Sequence, residues 1–126
     1  MKARIILADD HEVVRQGLRD VIAATPDMMV CAEAADGLAA ERLARAGVGD
    51  MLLLDIGLPG RRGMQVLQSL RADHSAMPVV FFSMYPSAQY AASARAAGAQ
   101  GYVGKDAPTA ELLQAHWWMI LLVLAG

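Results

Sequence analysis

Asp9, Asp10, Asp55, Ser83 and Lys105 are the residues of this chain whose types could do chemistry together. Each of the four groups closes a short apolar or glycine-rich run: Ile5-Ile6-Leu7-Ala8, Met51-Leu52-Leu53-Leu54, Val79-Val80-Phe81-Phe82 and Gly101-Tyr102-Val103-Gly104. Polar residues at the C-terminal ends of parallel strands meet at one edge of an open α/β sheet, where such sheets gather their ligands. Three carboxylates, a hydroxyl and an ammonium at that edge suit a divalent cation and a phosphoryl group.

Two carboxylates 4 Å apart repel by about 4 kcal/mol at an effective dielectric near 20. Three in one pocket therefore call for a cation or a shared proton. Hard oxygen donors with open positions suit Mg²⁺, which keeps waters and accepts phosphate oxygens. Asp55, on a rigid strand end, is placed to attack phosphorus and form an acyl phosphate. It precedes Ile56-Gly57-Leu58-Pro59-Gly60-Arg61-Arg62-Gly63, whose glycines let backbone approach a ligand closely. Taken singly, each residue has an ordinary reading: Asp10 caps a helix, Ser83 is a satisfied strand-end serine, and Lys105 is solvated. Their recurrence at successive strand ends favours the joint reading.

The elements that must position these residues follow from periodicity. Strands are expected at Arg4–Ala8, Met28–Ala34, Met51–Leu54, Pro78–Phe82 and Gly101–Val103. Helices are expected at Glu12–Ala24, from Asp36-Gly37 to Gly47, near Met64–Ala72, near Ala88–Ala97, and from Pro108 onward. Uniformly apolar strands alternating with helices indicate α/β architecture with right-handed crossovers. The expected fold is a flavodoxin-like doubly wound sheet of five parallel strands, order 2-1-3-4-5, whose switch point lies between the first and third strands.

The 126 residues suffice for one domain, and a net charge of −2 gives no basic footprint for nucleic acid. Cys31, the single cysteine, rules out an internal disulfide and is expected to pack within a strand. The N-terminal apolar run is too short for a secretory signal, so a cytoplasmic chain is expected. From Trp117 to Ala125 every residue is apolar, a run well short of the roughly 20 residues of a membrane span.

The chain resembles the receiver domain of a two-component response regulator. The resemblance rests on Ala8-Asp9-Asp10-His11, Asp55-Ile56-Gly57-Leu58-Pro59-Gly60, Ser83-Met84-Tyr85 and Gly98-Ala99-Gln100-Gly101-Tyr102-Val103-Gly104-Lys105. Its wording is most similar to receivers that precede a LuxR-type (NarL/FixJ-like) DNA-binding domain, and it implies a CheY-like fold over residues 1–115. It further implies that Asp55 is the phosphoacceptor, fed by a histidine kinase or a small phosphodonor. Asp10 would bind Mg²⁺ directly, Asp9 through water or hydrogen bonding, and the Gly57 carbonyl would be another ligand. Ser83 would reach a phosphoryl oxygen, Lys105 would pair with it, and Tyr102 would change rotamer with Ser83, unless its ring is ordinary packing. The implied function is a signalling switch, not a metabolic enzyme, in which the face of the fourth helix, fifth strand and last helix controls dimerisation or transcription. DNA would be reached only through an output domain that residues 1–126 do not include.

Two departures stand out. Residues 116–126 extend the last helix as an atypical apolar segment, for which a dimer contact, an unnatural terminus and folding back over the domain are the three readings. Asp106 stands where many receivers have proline. His11 lies beside the acidic pair, where a solvated loop histidine is expected, and the histidine spacing suggests no zinc site. The rival reading is a pseudo-receiver that binds proteins without phosphorylation. An aspartate-nucleophile phosphatase would need an acid two residues after Asp55, where Gly57 stands. A flavin module would need a phosphate-cradling loop after the first strand, which is missing.

Overall fold

The computed structural model describes residues 3–83 and 88–104. In chain order these form β1 (Ala3–Ala8), α1 (Glu12–Ala23), β2 (Met28–Ala34), α2 (Gly37–Arg45), β3 (Met51–Asp55), α3 (Gly63–Ala72), β4 (Val79–Ser83), α4 (Ala88–Ala96) and β5 (Gly101–Gly104). The strands form one sheet in the order β2-β1-β3-β4-β5, all neighbours parallel, as the alternation of elements predicts. The expected helix from Pro108 and the apolar segment 116–126 lie outside the described residues.

Alternation along the strands sorts the core into two layers. Ile6, Ala8, Leu52, Leu54, Val79 and Phe81 point to one face and pack with Ala40, Ala44, Val66, Leu67, Leu70 and Ala94 from α2, α3 and α4. Ile5, Leu7, Met51, Leu53, Val80 and Phe82 point to the other and pack with Leu18 and Ile22 of α1. Because β1, β3 and β4 are covered on both faces, their sequences are continuous apolar runs rather than alternating ones. Burying each large side chain contributes about 1.5–3 kcal/mol, so the central strands are firmly held among the described residues.

Strand ends differ from the sequence expectation by a residue, with a consequence for the site. β3 runs through Asp55 and β4 through Ser83, so both polar residues belong to the ladder instead of following it. β2 carries an irregularity: Ile5 pairs with Val30, whereas Ile6 pairs with Ala32, leaving Cys31 as an extra residue. Cys31 and Ala32 consequently pack against the same core layer. The half-buried Cys31 thiol lies 3.4 Å from the Ile5 carbonyl oxygen, and burial pushes its pKa up.

The loop between β3 and α3 is drawn tightly against the sheet edge at two glycines. A Cβ on Gly63 would sit 2.9 Å from both the Ile56 Cα and the Phe81 ring, so α3 starts close against β3 and β4 only because this residue is glycine. A Cβ on Gly37 would collide with the Arg61 backbone, and the Gly37 N–H donates to the Pro59 carbonyl at 3.2 Å. At this same junction Asp36 caps α2, accepting from the Ala39 N–H at 2.8 Å.

Candidate functional site

Register brings the acids together. Ala8 of β1 pairs with Leu54 of β3, so Asp9 and Asp55, each one residue further on, emerge side by side at the C-terminal edge. Asp9 is fully buried and Asp55 is 5% exposed, while the side chain of Asp10 is 36% exposed. Ligand atoms of Asp9, Asp10, His11 and Asp55 all lie within 4.8 Å of one another. The expected convergence of three carboxylates is therefore present, with His11 added to it.

Backbone and side-chain donors hold the acids in place. The Gly57 N–H donates to Asp55 Oδ1 at 3.1 Å, which orients this carboxylate toward the loop. The His11 N–H donates to Asp9 Oδ1 at 2.7 Å as the chain turns into α1. The Asp9 N–H donates to the Ala34 carbonyl at 3.0 Å, and the Ile56 N–H donates to that of Phe82 at 3.2 Å. Asp10 does not cap α1: His11 is the N-cap residue, and no side chain caps this helix.

Arg15 is a positioning residue that sequence reasoning missed. Its guanidinium donates to the Asp9 carbonyl oxygen and pairs with Glu33 at 3.2 Å, so α1, β2 and the acidic corner share one cation. Arg19 donates to Glu12 at 2.8 Å, and the hydrogen bonds of Arg19 and Arg15 hold the Glu12 carboxyl below its ordinary range. The available signal was helical spacing: Glu12, Arg15 and Arg19 fall on one side of α1, three and four residues apart.

The remaining candidates come from the neighbouring strands. Ser83 is the last residue of β4, paired in register with Gly104, and Phe82 stands beside Asp55 in the same ladder. Lys105 lies outside the described residues, as do Met84 and Tyr85. Tyr102 on β5 is half-buried between two rings: its centroid is 6.5 Å from Phe81 and 6.0 Å from Tyr90 of α4, the latter stacked at 28°. It thus links the strand end to α4. The site can hold a hard divalent cation on buried and exposed carboxylate oxygens, which is what an octahedral ion that retains waters needs. Among the described residues, no helix is long and apolar enough to cross a membrane.

Comparison with known proteins agrees with this geometry. The family model of the response regulator receiver domain matches residues 5–116. The nitrate/nitrite response regulator protein NarL of Escherichia coli (strain K12) is 35% identical over 113 residues, which cover 90% of this chain and 52% of that protein. The DNA-binding transcriptional activator DevR/DosR of Mycobacterium tuberculosis is 38% identical over 114 residues, covering 89% and 52%. The chain thus spans about half the length of the curated relatives it matches. Among solved structures, a LuxR-family two-component response regulator from Aurantimonas sp. SI85-9A1 superposes with a TM-score of 0.87 at 39% identity, over 96% of this chain and 86% of that one. The receiver domain of a NarL-type regulator from Mycobacterium tuberculosis gives a TM-score of 0.87 at 30% identity, over 95% and 97%.

Proposed function

The chain belongs to the response regulator receiver domain family, and from that premise we propose that Asp55 carries the signal as an acyl phosphate. One observation carries the assignment: Asp55 is the acid that lies within the ladder itself, as the last residue of β3, buried and with its carboxylate held by the Gly57 N–H, beside the two acids that follow β1. A carboxylate oxygen of Asp55 forms a bond to phosphorus as the donor's P–N or P–O bond breaks. The leaving group departs with the electron pair: the imidazole of a phosphohistidine takes up a proton, and the acetate of acetyl phosphate leaves as the anion. The donor is a histidine kinase or a small phosphodonor.

In this reading Asp10 and Asp55 would hold Mg²⁺ directly, Asp9 would act through water or a hydrogen bond, and the Gly57 carbonyl would add a further ligand. The bound ion supplies positive charge where donor, carboxylate and phosphoryl oxygens would otherwise repel. Asp9 contributes from a sealed position and Asp10 from an accessible one, so the pocket retains a route to solvent. Ser83 donates its hydroxyl to a phosphoryl oxygen and Lys105 neutralises it. The new group adds about −1.5 to −2 charges and three acceptor oxygens, and these contacts favour one of two arrangements of the α4–β5 face. Tyr102, stacked on Tyr90, is the ring through which β5 and α4 would report that choice. The output is transcriptional, through a DNA-binding partner domain such as the relatives' names describe.

Incubation with acetyl phosphate and Mg²⁺ tests this. Wild type is expected to gain the mass of one phosphoryl group, labile to hydroxylamine, and Asp55→Asn to gain none. A folded wild-type protein that stays unmodified would instead favour the pseudo-receiver reading.

A further inference from the structure

The ring of His11 has no part in the phosphoryl chemistry above, yet it faces the acids. Its Nδ1 lies 3.1 Å from Asp9 Oδ1 and 3.2 Å from Asp10 Oδ1. Adjacent ligands of an octahedral ion with bonds of about 2.1 Å stand about 3.0 Å apart. Both N···O separations therefore match neighbouring ligands around one first-row ion. The same separations fit a hydrogen bond from Nδ1–H to the acids, so the ligand role requires the tautomer that leaves Nδ1 as the lone-pair nitrogen. The backbone of His11 is anchored to the same Asp9 oxygen at 2.7 Å, so the residue is fixed beside the acids. Its side chain is 62% exposed, which leaves an entry path for ions.

We infer that His11 is a nitrogen ligand of this pocket and sets its choice of ion, drawing it from Mg²⁺ toward borderline first-row ions such as Mn²⁺ and Co²⁺. Imidazole suits transition ions, whereas Mg²⁺ demands oxygen ligands and dehydrates reluctantly. An all-carboxylate pocket would discriminate less between the two classes. The inference rests on the metal-dependent reading above and adds the ligand that selects among metals.

The test is pulsed electron paramagnetic resonance on the full chain loaded with Mn²⁺, with nitrogen couplings assigned by isotopic labelling of histidine, alongside calorimetric titration of Mn²⁺ and Mg²⁺. Wild type is expected to show a directly coordinated histidine nitrogen that His11→Gln lacks. The variant should bind Mn²⁺ roughly tenfold more weakly, since even outer partners of metal ligands carry about 10–100-fold in affinity, while its Mg²⁺ affinity stays close to wild type. Mn²⁺ binding that depends on Asp55 but shows no histidine coupling overturns the inference and leaves the phosphorylation reading intact. Equal loss of both ions in His11→Gln does the same, because the ring would then be only a hydrogen-bond donor to the acids. Wild type that binds neither ion removes the metal-dependent reading as well.

Discussion

Asp10 is the accessible acid of the corner, whereas Asp9 is sealed beneath it. Asp10, with its side chain 36% exposed, lies between bulk water, where a like neighbour at 4 Å costs about 1 kcal/mol, and the protein surface, where it costs about 4 kcal/mol, and it has two such neighbours in Asp9 and Asp55. Asp10→Asn is expected to raise metal-free stability by about 2 kcal/mol or more in urea denaturation and to abolish the stabilisation that Mg²⁺ confers on wild type. The acids were legible in the sequence because each interrupts an apolar run, a signal local to a few residues. Arg15 and the aim of the His11 ring were not. Which surface charge reaches a backbone carbonyl depends on how α1 is rotated against β1 and β2, and no local pattern encodes that.

Between elements, charged side chains do the joining. Glu41 of α2, only 8% exposed, accepts from Arg61 at 2.8 Å, from Arg45 at 3.2 Å and from Ser69 Oγ at 3.2 Å, tying α2 to the loop after Asp55 and to α3. Arg71 plays the matching part at the opposite end of the sheet. Its guanidinium donates to the carbonyls of Ser75 and Met77 at 2.8 Å and of Gly98 at 2.9 Å, and burial lowers its pKa. Arg71→Ala leaves three carbonyls without this donor and is expected to cost roughly 2–3 kcal/mol in chemical denaturation. Neither residue stands out in the sequence, where a charge on an amphipathic helix reads as solvated.

Asp50, before β3, belongs to the same class of joint. The Arg4 N–H, 2.8 Å away, and then the Arg4 side chain and its charge hold the Asp50 carboxyl below its ordinary range. A depressed folded-state value stabilises the fold above the unfolded value of about 3.9 and ceases to do so as pH falls through the folded one. Asp50→Asn should therefore lose up to about 1 kcal/mol at neutral pH, with the gap to wild type closing below about pH 4. Urea unfolding at a series of pH values reads this directly.

Across the whole molecule, the parallel α/β architecture was the most legible feature, because fully covered strands must be apolar throughout and the connections are short. The order β2-β1-β3-β4-β5 followed instead from the known doubly wound fold class and the resemblance to receivers. The layer built on Ile5, Leu7, Leu53 and Phe82 is covered by α1 among the described residues. A further apolar run, Trp117 to Ala125, is available in the sequence, and we propose self-association through it. Two charges introduced by Leu121→Glu and Leu122→Glu are expected to convert a dimer to a monomer in light scattering. An unchanged molar mass would remove the proposal.

The doubled residue at Cys31 has a bearing on solubility. β2 is an outer strand of the sheet, and an outer strand offers its unused amides and carbonyls to any extended segment that drifts past. An inserted residue bends the rim and throws its bonding groups out of step. A passing chain would find no regular template to copy along that rim.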